Sequence, residues 1–89
     1  MYGDVFGNPI KMELLIEGSQ VSGNCYYVEK GSNNHLILSG TNDKGNINLK
    51  ETDVNGTSIG RFQGTMSDGV FHGTYSTSGA AMGFSVCEK

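Results

Sequence analysis

Cys25 and Cys87 are the residues of this 89-residue sequence that could do the most chemistry. Their spacing excludes a C-x-x-C redox motif, and two cysteines cannot supply a four-cysteine zinc site. In an oxidising compartment, a disulfide between them would close a loop of roughly 60 residues and stabilise the fold by about 4 kcal/mol. The alternative is two separate, reduced thiols that pack as small apolar side chains in strands. The sequence leaves both possibilities open.

The two histidines, His35 and His72, are the next candidates, since imidazole is a common metal ligand. They lie far apart in the sequence, and neither has a ligating residue two or four positions away. The acidic turn at residues 42–46 has its glycine in the wrong place for a calcium-binding EF-hand loop. The sequence therefore predicts no metal site and no cofactor.

Catalysis would need an activated nucleophile or a pair of carboxylates in a cleft. Ser22 and Ser67 have no flanking pattern that would activate them. Five carboxylates fall on predicted polar strand faces or in turns, where contact with water explains them: Glu13, Glu17, Glu29, Glu51 and Asp53. We therefore expect the protein not to be an enzyme.

Length and composition indicate one domain over residues 1–89 with a thin core. Six lysines and arginines are scattered along a chain of net charge −3, which argues against nucleic-acid binding. No apolar run approaches the roughly 18 residues of a membrane helix. The first residues lack the basic start and apolar stretch of a signal peptide, so either the protein is cytoplasmic or a leader has been removed.

Apolar residues recur with a period of two, which predicts strands, and short turns separate them. Asp43-Lys44-Gly45, Asn55-Gly56 and Asp68-Gly69 are the strongest turn signals. We expect seven strands, with residues 1–6 as a possible eighth, in a sequential antiparallel meander. A small up-and-down barrel is favoured because closure removes the two edges, and an open twisted sheet covered by a second copy is the alternative. Ten residues should face inward: Met12, Leu14, Ile16, Leu36, Leu38, Ile47, Leu49, Phe62, Phe84 and Val86.

Glycines recur inside the predicted strands, at Gly23 and Gly73 in matching apolar-x-Gly-x-apolar patterns and at Gly60 and Gly64 in a looser one. Glycine within a strand indicates a bend, a bulge or close contact with another group. These glycines lie on separate strands, so we expect them to serve the backbone and not a ligand.

An ordered set of short motifs resembles a small bacterial domain of uncharacterised activity, whose members are often secreted or borne on lipoproteins. It runs through residues 21–27, 36–40, 47–51, 60–64 and 73–75, and corresponds to G-x-Y-Y, L-x-G, I-x-L-x-E, G-x-F-x-G and G-T-W. This sequence differs at Cys25, where tyrosine is more usual, and at Tyr75, where tryptophan is common. The resemblance implies an all-β fold and an extracytoplasmic location.

Three functions remain open. The first is a non-catalytic binding or structural domain that acts through its surface on an unknown protein partner or on a second copy. The second is a carrier with a small-ligand pocket in the barrel mouth. The third is an enzyme inhibitor, because Ser22, Gly23 and Tyr26 match the S-G-x-x-Y motif of the bacterial C-type lysozyme inhibitors, in which a protruding loop would present the serine and tyrosine. The second motif of that family is absent as a separate unit.

Overall fold

The computed structural model describes residues 1–31 and 35–88 and consists almost entirely of strands. The period-two alternation and the glycine-containing turns divide the chain into eight strands. They are β1 (Tyr2–Val5), β2 (Asn8–Glu17), β3 (Gln20–Tyr27), β4 (Leu36–Asp43), β5 (Asn46–Thr52), β6 (Ser58–Ser67), β7 (Val70–Thr77) and β8 (Ala80–Cys87). A short 3₁₀ turn, Val28–Lys30, follows β3. No helix among the described residues is long and apolar enough to cross a membrane.

The eight strands pair in sequence order and form a closed antiparallel barrel. β1 completes it, because Tyr2–Val5 pairs with β2 on one side and with β8 on the other. The predicted all-β meander and barrel are confirmed, residues 2–5 are the eighth strand, and the open-sheet alternative is wrong. Closure provides every strand with two hydrogen-bonded neighbours, so the barrel has no unpaired sheet edge.

Tight turns fix the register of the hairpins. The pairs Lys44-Gly45 and Asp68-Gly69 both have positive φ, the backbone that a type I′ hairpin turn requires. Asn55-Gly56 lies in the longer connection between β5 and β6. There Asp53 Oδ1 accepts hydrogen bonds from the backbone N–H groups of Asn55 and Thr57, at 2.9 Å each.

The barrel interior holds the core, and most of its predicted members are confirmed. Seven of the ten are buried: Met12, Leu38, Ile47, Leu49, Phe62, Phe84 and Val86. Leu14 and Leu36 are half-buried and pack against this core. Ile16 is 40% exposed, so its assignment is wrong. It lies one residue before the end of β2, where the strand has passed the packed interior.

The strand glycines lie where neighbouring backbones approach closely. A Cβ on Gly73 would overlap the Gln63 carbonyl oxygen and lie 2.5 Å from the Cα of Gly64, its direct partner on β6. A Cβ on Gly64 would likewise overlap the His72 carbonyl, and one on Gly23 would overlap the Glu13 carbonyl. Glycine at these points lets the sheet coil tightly enough to close with only eight strands.

The barrel has two distinct ends. The turn end carries the two-residue turns after β2, β4 and β6, together with both chain termini. The mouth end carries the turns after β1 and β7 and the longer connections after β3 and β5. We use these two names below.

Candidate functional site

Glu51 is the buried charged residue of the barrel, with no exposed surface. Residues 47, 49 and 51 of β5 alternate inward, so Glu51 follows Ile47 and Leu49 into the interior near the mouth end. The expectation that solvent contact explains Glu51 is therefore wrong. The signal was present in the same alternation that identified the strand, but the polar side chain at the third inward position was assigned to the surface.

Two side chains hydrogen-bond to the Glu51 carboxyl group. The Tyr75 hydroxyl donates to Oε1 at 2.6 Å, and the Cys25 thiol donates to Oε2 at 3.2 Å. The three residues come from β3, β5 and β7, and all point inward in the layer nearest the mouth. Both donors are neutral groups, so they satisfy the oxygens of the carboxyl without bringing a positive charge to it. We call these three residues and Tyr27 the polar cluster.

Burial dominates the acid–base properties of the polar cluster. Removal from water raises the pKa of Glu51 above its ordinary value, although the hydrogen bonds from Tyr75 and Cys25 partly oppose this. Burial, reinforced by the nearby carboxyl of Glu51, also raises the pKa values of Cys25 and Tyr75. The Cys25 thiol and the Tyr75 hydroxyl are consequently protonated at neutral pH and act as donors.

Tyr27 links the buried carboxyl to the open end of the barrel. Its half-buried side chain is two residues beyond Cys25 on β3, and it lines the mouth end together with Tyr75. Burial and then the charge of Glu51 raise the pKa of Tyr27 to about 12.

Gly60 makes room for this arrangement. It pairs with Glu51 across β5 and β6. A Cβ at this position would lie 2.6 Å from the Tyr75 hydroxyl oxygen and 2.8 Å from the ring carbon that carries it. A side chain at residue 60 would therefore push the Tyr75 hydroxyl away from Glu51. Gly60 therefore leaves the space that the Tyr75 side chain occupies beside Glu51.

A cleft of about 520 Å³ opens above the polar cluster, and we call it the mouth cleft. Its walls are mainly apolar, with charged or polar groups at the edge. It is lined by Tyr27, Lys30, His35, Leu36, Asp53, Val54, Ile59 and Tyr75. Ligand sites in proteins commonly have this combination of apolar walls and a few convergent polar groups.

Large apolar side chains are exposed around the same end of the barrel. They are Phe6, Val28, Ile37, Val54 and Ile59, with exposures from 38% to 76%. Phe6, the most exposed, also has a φ of +49°, which bulky residues seldom adopt. Neither burial nor backbone preference explains a phenylalanine there, and unexplained strain of this kind is frequent in binding surfaces. We call these five residues the apolar rim.

The two cysteines are separate thiols, so of the two possibilities that the sequence left open the structure has the reduced pair and not the Cys25–Cys87 disulfide. Cys25 points into the barrel on β3, whereas Cys87 is exposed at the end of β8. Strands β1 and β2 lie between them. At about 4.8 Å per strand spacing, this exceeds the roughly 7 Å limit for the Cα atoms of a bridged pair.

The remaining predicted site residues do not come together. Ser22, Gly23 and Tyr26 all lie within β3, with Ser22 on its exposed face, and not on a protruding loop as the inhibitor motif requires. His72 is exposed on β7, far from His35 at the edge of the mouth cleft. Among residues 1–31 and 35–88, no three His, Cys, Asp or Glu side chains are grouped closely enough to hold a metal ion.

No family model, curated protein or solved structure matches the sequence or the fold of this chain.

Proposed function

We propose that this protein is a non-catalytic binding domain whose binding surface is the mouth end of the barrel. The observation that carries the proposal is the coincidence, at one end, of solvent-exposed apolar side chains, an open cleft and a polar cluster beneath it. Burying apolar surface against a ligand would recover the free energy that exposure of the apolar rim costs.

The expected occupant is a small amphipathic molecule, with an apolar body between Leu36, Val54 and Ile59 and a polar head near Tyr27. The volume of the mouth cleft, about 520 Å³, falls within the range of roughly 300–1,000 Å³ that is usual for small-molecule sites. This choice favours the ligand carrier among the earlier alternatives. The barrel interior below the polar cluster is filled by side chains, so the ligand would bind in the mouth and not deep in the core.

Catalysis fits this site poorly. Cys25 and Glu51 have no exposed surface, and burial raises the pKa of the Cys25 thiol, which keeps it from becoming a nucleophilic thiolate. Self-association through sheet edges also fits poorly, because closure of the barrel leaves no edge free.

The test is a titration with 1-hexanol, a neutral amphipathic probe, monitored by backbone amide chemical shifts. We expect shifts concentrated at Leu36, Val54 and Ile59. Ile59→Ser should weaken binding several-fold, whereas Leu15→Ser, at a leucine near the turn end that is more exposed than Ile59 (57% against 38%), should leave binding unchanged. Shifts centred on the turn end, or no saturable shifts at all, would overturn the proposal.

A further inference from the structure

We propose that Lys50 and Arg61, on the outer wall of the barrel, bind the phosphate group of a small soluble phosphate monoester. We call these two residues the cationic pair. This site goes beyond the proposed function, since it lies on the side of the barrel and not in the mouth cleft. Three features lead to it: the position of the two cations, the uncharged surface around them, and the grooves beside them.

Strand register places the cationic pair together. Lys50 on β5 is the direct partner of Arg61 on β6, and both side chains lie on the exposed face of the sheet. Like charges directly opposite each other on antiparallel strands reduce stability. Neither cation contributes to the core, so the fold does not explain why two of the six lysines and arginines of the chain are opposed here.

The surface around the cationic pair supplies no compensating negative charge. Among residues 1–31 and 35–88, neither Lys50 nor Arg61 forms an ion pair or a side-chain hydrogen bond. The nearest positions on the same face, across the neighbouring strands and two residues along each strand, are all uncharged. They are Ser39, Asn48, Thr52, Ile59, Gln63 and Ser76. The charge of the cationic pair is therefore available to an external anion.

Shallow grooves border the cationic pair on both sides. One of about 380 Å³ lies toward β7 and another of about 230 Å³ lies toward β4, and Lys50 and Arg61 line both. Hydroxyl and amide side chains line them as well, including Ser58 and Ser76 in the first and Ser39 and Asn48 in the second. Such groups can donate hydrogen bonds to phosphate oxygens and can pair with polar groups elsewhere in the ester. These polar walls favour a soluble ester over a lipid.

A phosphate monoester matches the charge and the geometry of the cationic pair. It carries close to two negative charges at neutral pH, which equals the charge of the two side chains. The planar guanidinium of Arg61 can donate to two phosphate oxygens at once, while the Lys50 ammonium binds a third as a point charge. A carboxylate has one charge and two oxygens, so it would leave one of the two cations without a partner.

The experiment is a titration with glycerol 3-phosphate at neutral pH and low ionic strength, monitored by backbone amide chemical shifts. We expect saturable shifts centred on residues 49–51 and 60–62. Glycerate, which has a carboxylate in place of the phosphate, should bind about tenfold more weakly, as the loss of one charge-assisted contact implies. Equal binding of the two probes, or no saturable shifts with either, would overturn the proposal. Binding only to vesicles that contain phosphatidic acid would overturn it too, because the ligand would then be a lipid.

Four variants locate the site. Lys50→Gln and Arg61→Gln each remove one charge from an exposed position and should weaken glycerol 3-phosphate binding about tenfold. Arg61→Lys keeps the charge but removes the planar donor group, so it should weaken binding by a smaller factor. Lys11→Gln makes the same change of net charge on β2, across the barrel, and should leave binding unchanged.

Unchanged binding in both glutamine variants of the cationic pair, or an equal loss in Lys11→Gln, would contradict the proposal. Lys50→Gln should bind 1-hexanol as the parent protein does, because Lys50 lies outside the mouth cleft. The two binding sites can therefore be tested, and can fail, independently of each other.

Discussion

The two ends of the barrel differ in the residues that they bury and in the residues that they expose. At the turn end, two-residue turns join the strands, and the buried residues near them are apolar: Val21, Ile47, Phe71 and Val86. At the mouth end, a carboxyl group and its donors are buried while Phe6 and Val54 are exposed. The clefts differ as well, at about 330 Å³ for the turn end and about 520 Å³ for the mouth.

The comparison distinguishes features that stabilise the barrel from features that reduce its stability. An apolar interior and tight turns explain the buried side of the turn end, where Leu15 and Ile16 are nevertheless exposed, at 57% and 40%. The polar cluster and the apolar rim both cost stability, the first through removal of Glu51 from water and the second through exposure of apolar surface. Among the described residues the buried carboxyl group occurs at the mouth end and not at the turn end, and local departures of this kind from folding rules are typical of functional sites.

The largest loss of stability should come from Gly73→Ala, which disrupts the barrel as a whole and not one end of it. In Gly73→Ala the new methyl group meets the backbone of β6, which cannot move without opening the barrel. We expect a loss of about 3 kcal/mol or more in the free energy of unfolding, comparable to other severe steric changes. Urea denaturation measures it. Gly79→Ala is the control, because a Cβ there has no neighbour within 4 Å and its φ is not positive, so the loss should be small. Equal stability of the two variants would contradict the close-approach explanation.

A smaller effect, confined to the mouth end, is expected for Tyr75→Phe. Removal of the hydroxyl takes one of the two donors from the buried Glu51 carboxyl. The expected loss is about 1–3 kcal/mol, the cost of leaving a buried polar group without one of its hydrogen bonds. Tyr26→Phe removes a hydroxyl from the outer face of the neighbouring β3 and should change stability by less than about 0.5 kcal/mol. In a Glu51→Gln background the loss from Tyr75→Phe should shrink. An unchanged loss there would show that the hydroxyl stabilises the fold without Glu51.

The third prediction concerns Glu51 at the mouth end, whose contribution to stability should change gradually with pH. Because burial raises the folded-state pKa of Glu51 above the ordinary value of 4.5, the folded protein holds this proton more tightly than the unfolded chain. The contribution of Glu51 to stability is therefore fully present below pH 4.5 and is lost as the pH rises through the folded-state pKa.

The measurement is the difference in unfolding free energy between the parent protein and Glu51→Gln, taken from pH 4 to pH 9. The parent should lose stability relative to Glu51→Gln as the pH rises. Glu13→Gln, which changes a carboxylate on the exposed face of β2, is the control for net charge. A parent protein that instead gains relative stability with rising pH would mean that the folded site favours the ionised carboxyl.

The smallest expected effect is a gain in stability from a substitution at Phe6. Asparagine adopts positive φ more readily than phenylalanine, so Phe6→Asn should raise the free energy of unfolding by about 0.5–1 kcal/mol. Asp68→Asn is the matched change at the turn end, where a tolerant residue is already present at a φ of +53°, and should be nearly neutral. Thermal unfolding of both variants provides the comparison. A Phe6→Asn protein that is less stable than the parent would show that Phe6 serves the fold.

The class of fold could be predicted from the sequence because strand periodicity and turn chemistry act over a few residues. Alternation identified β2, β5 and β8, and Asp43-Lys44-Gly45 and Asp68-Gly69 formed the hairpins that their residue types favour. The strand glycines were also recognisable as a pattern. The specific contact that each one permits, such as that between Gly73 and Gly64, depends on which strands pair and in which register.

The tertiary structure alone decided the chemistry. Glu51, Tyr75 and Cys25 are each more than 20 residues apart in the sequence, with separations of 24 and 26 along their hydrogen bonds. Their convergence required the barrel to close and the three strands to present the same layer inward. The choice between a disulfide and two free thiols was decided at the same level, because strand order places β1 and β2 between Cys87 and Cys25. The local pattern of residues determines which face of a strand a side chain occupies. Only closure of the barrel determines which other side chains it contacts there.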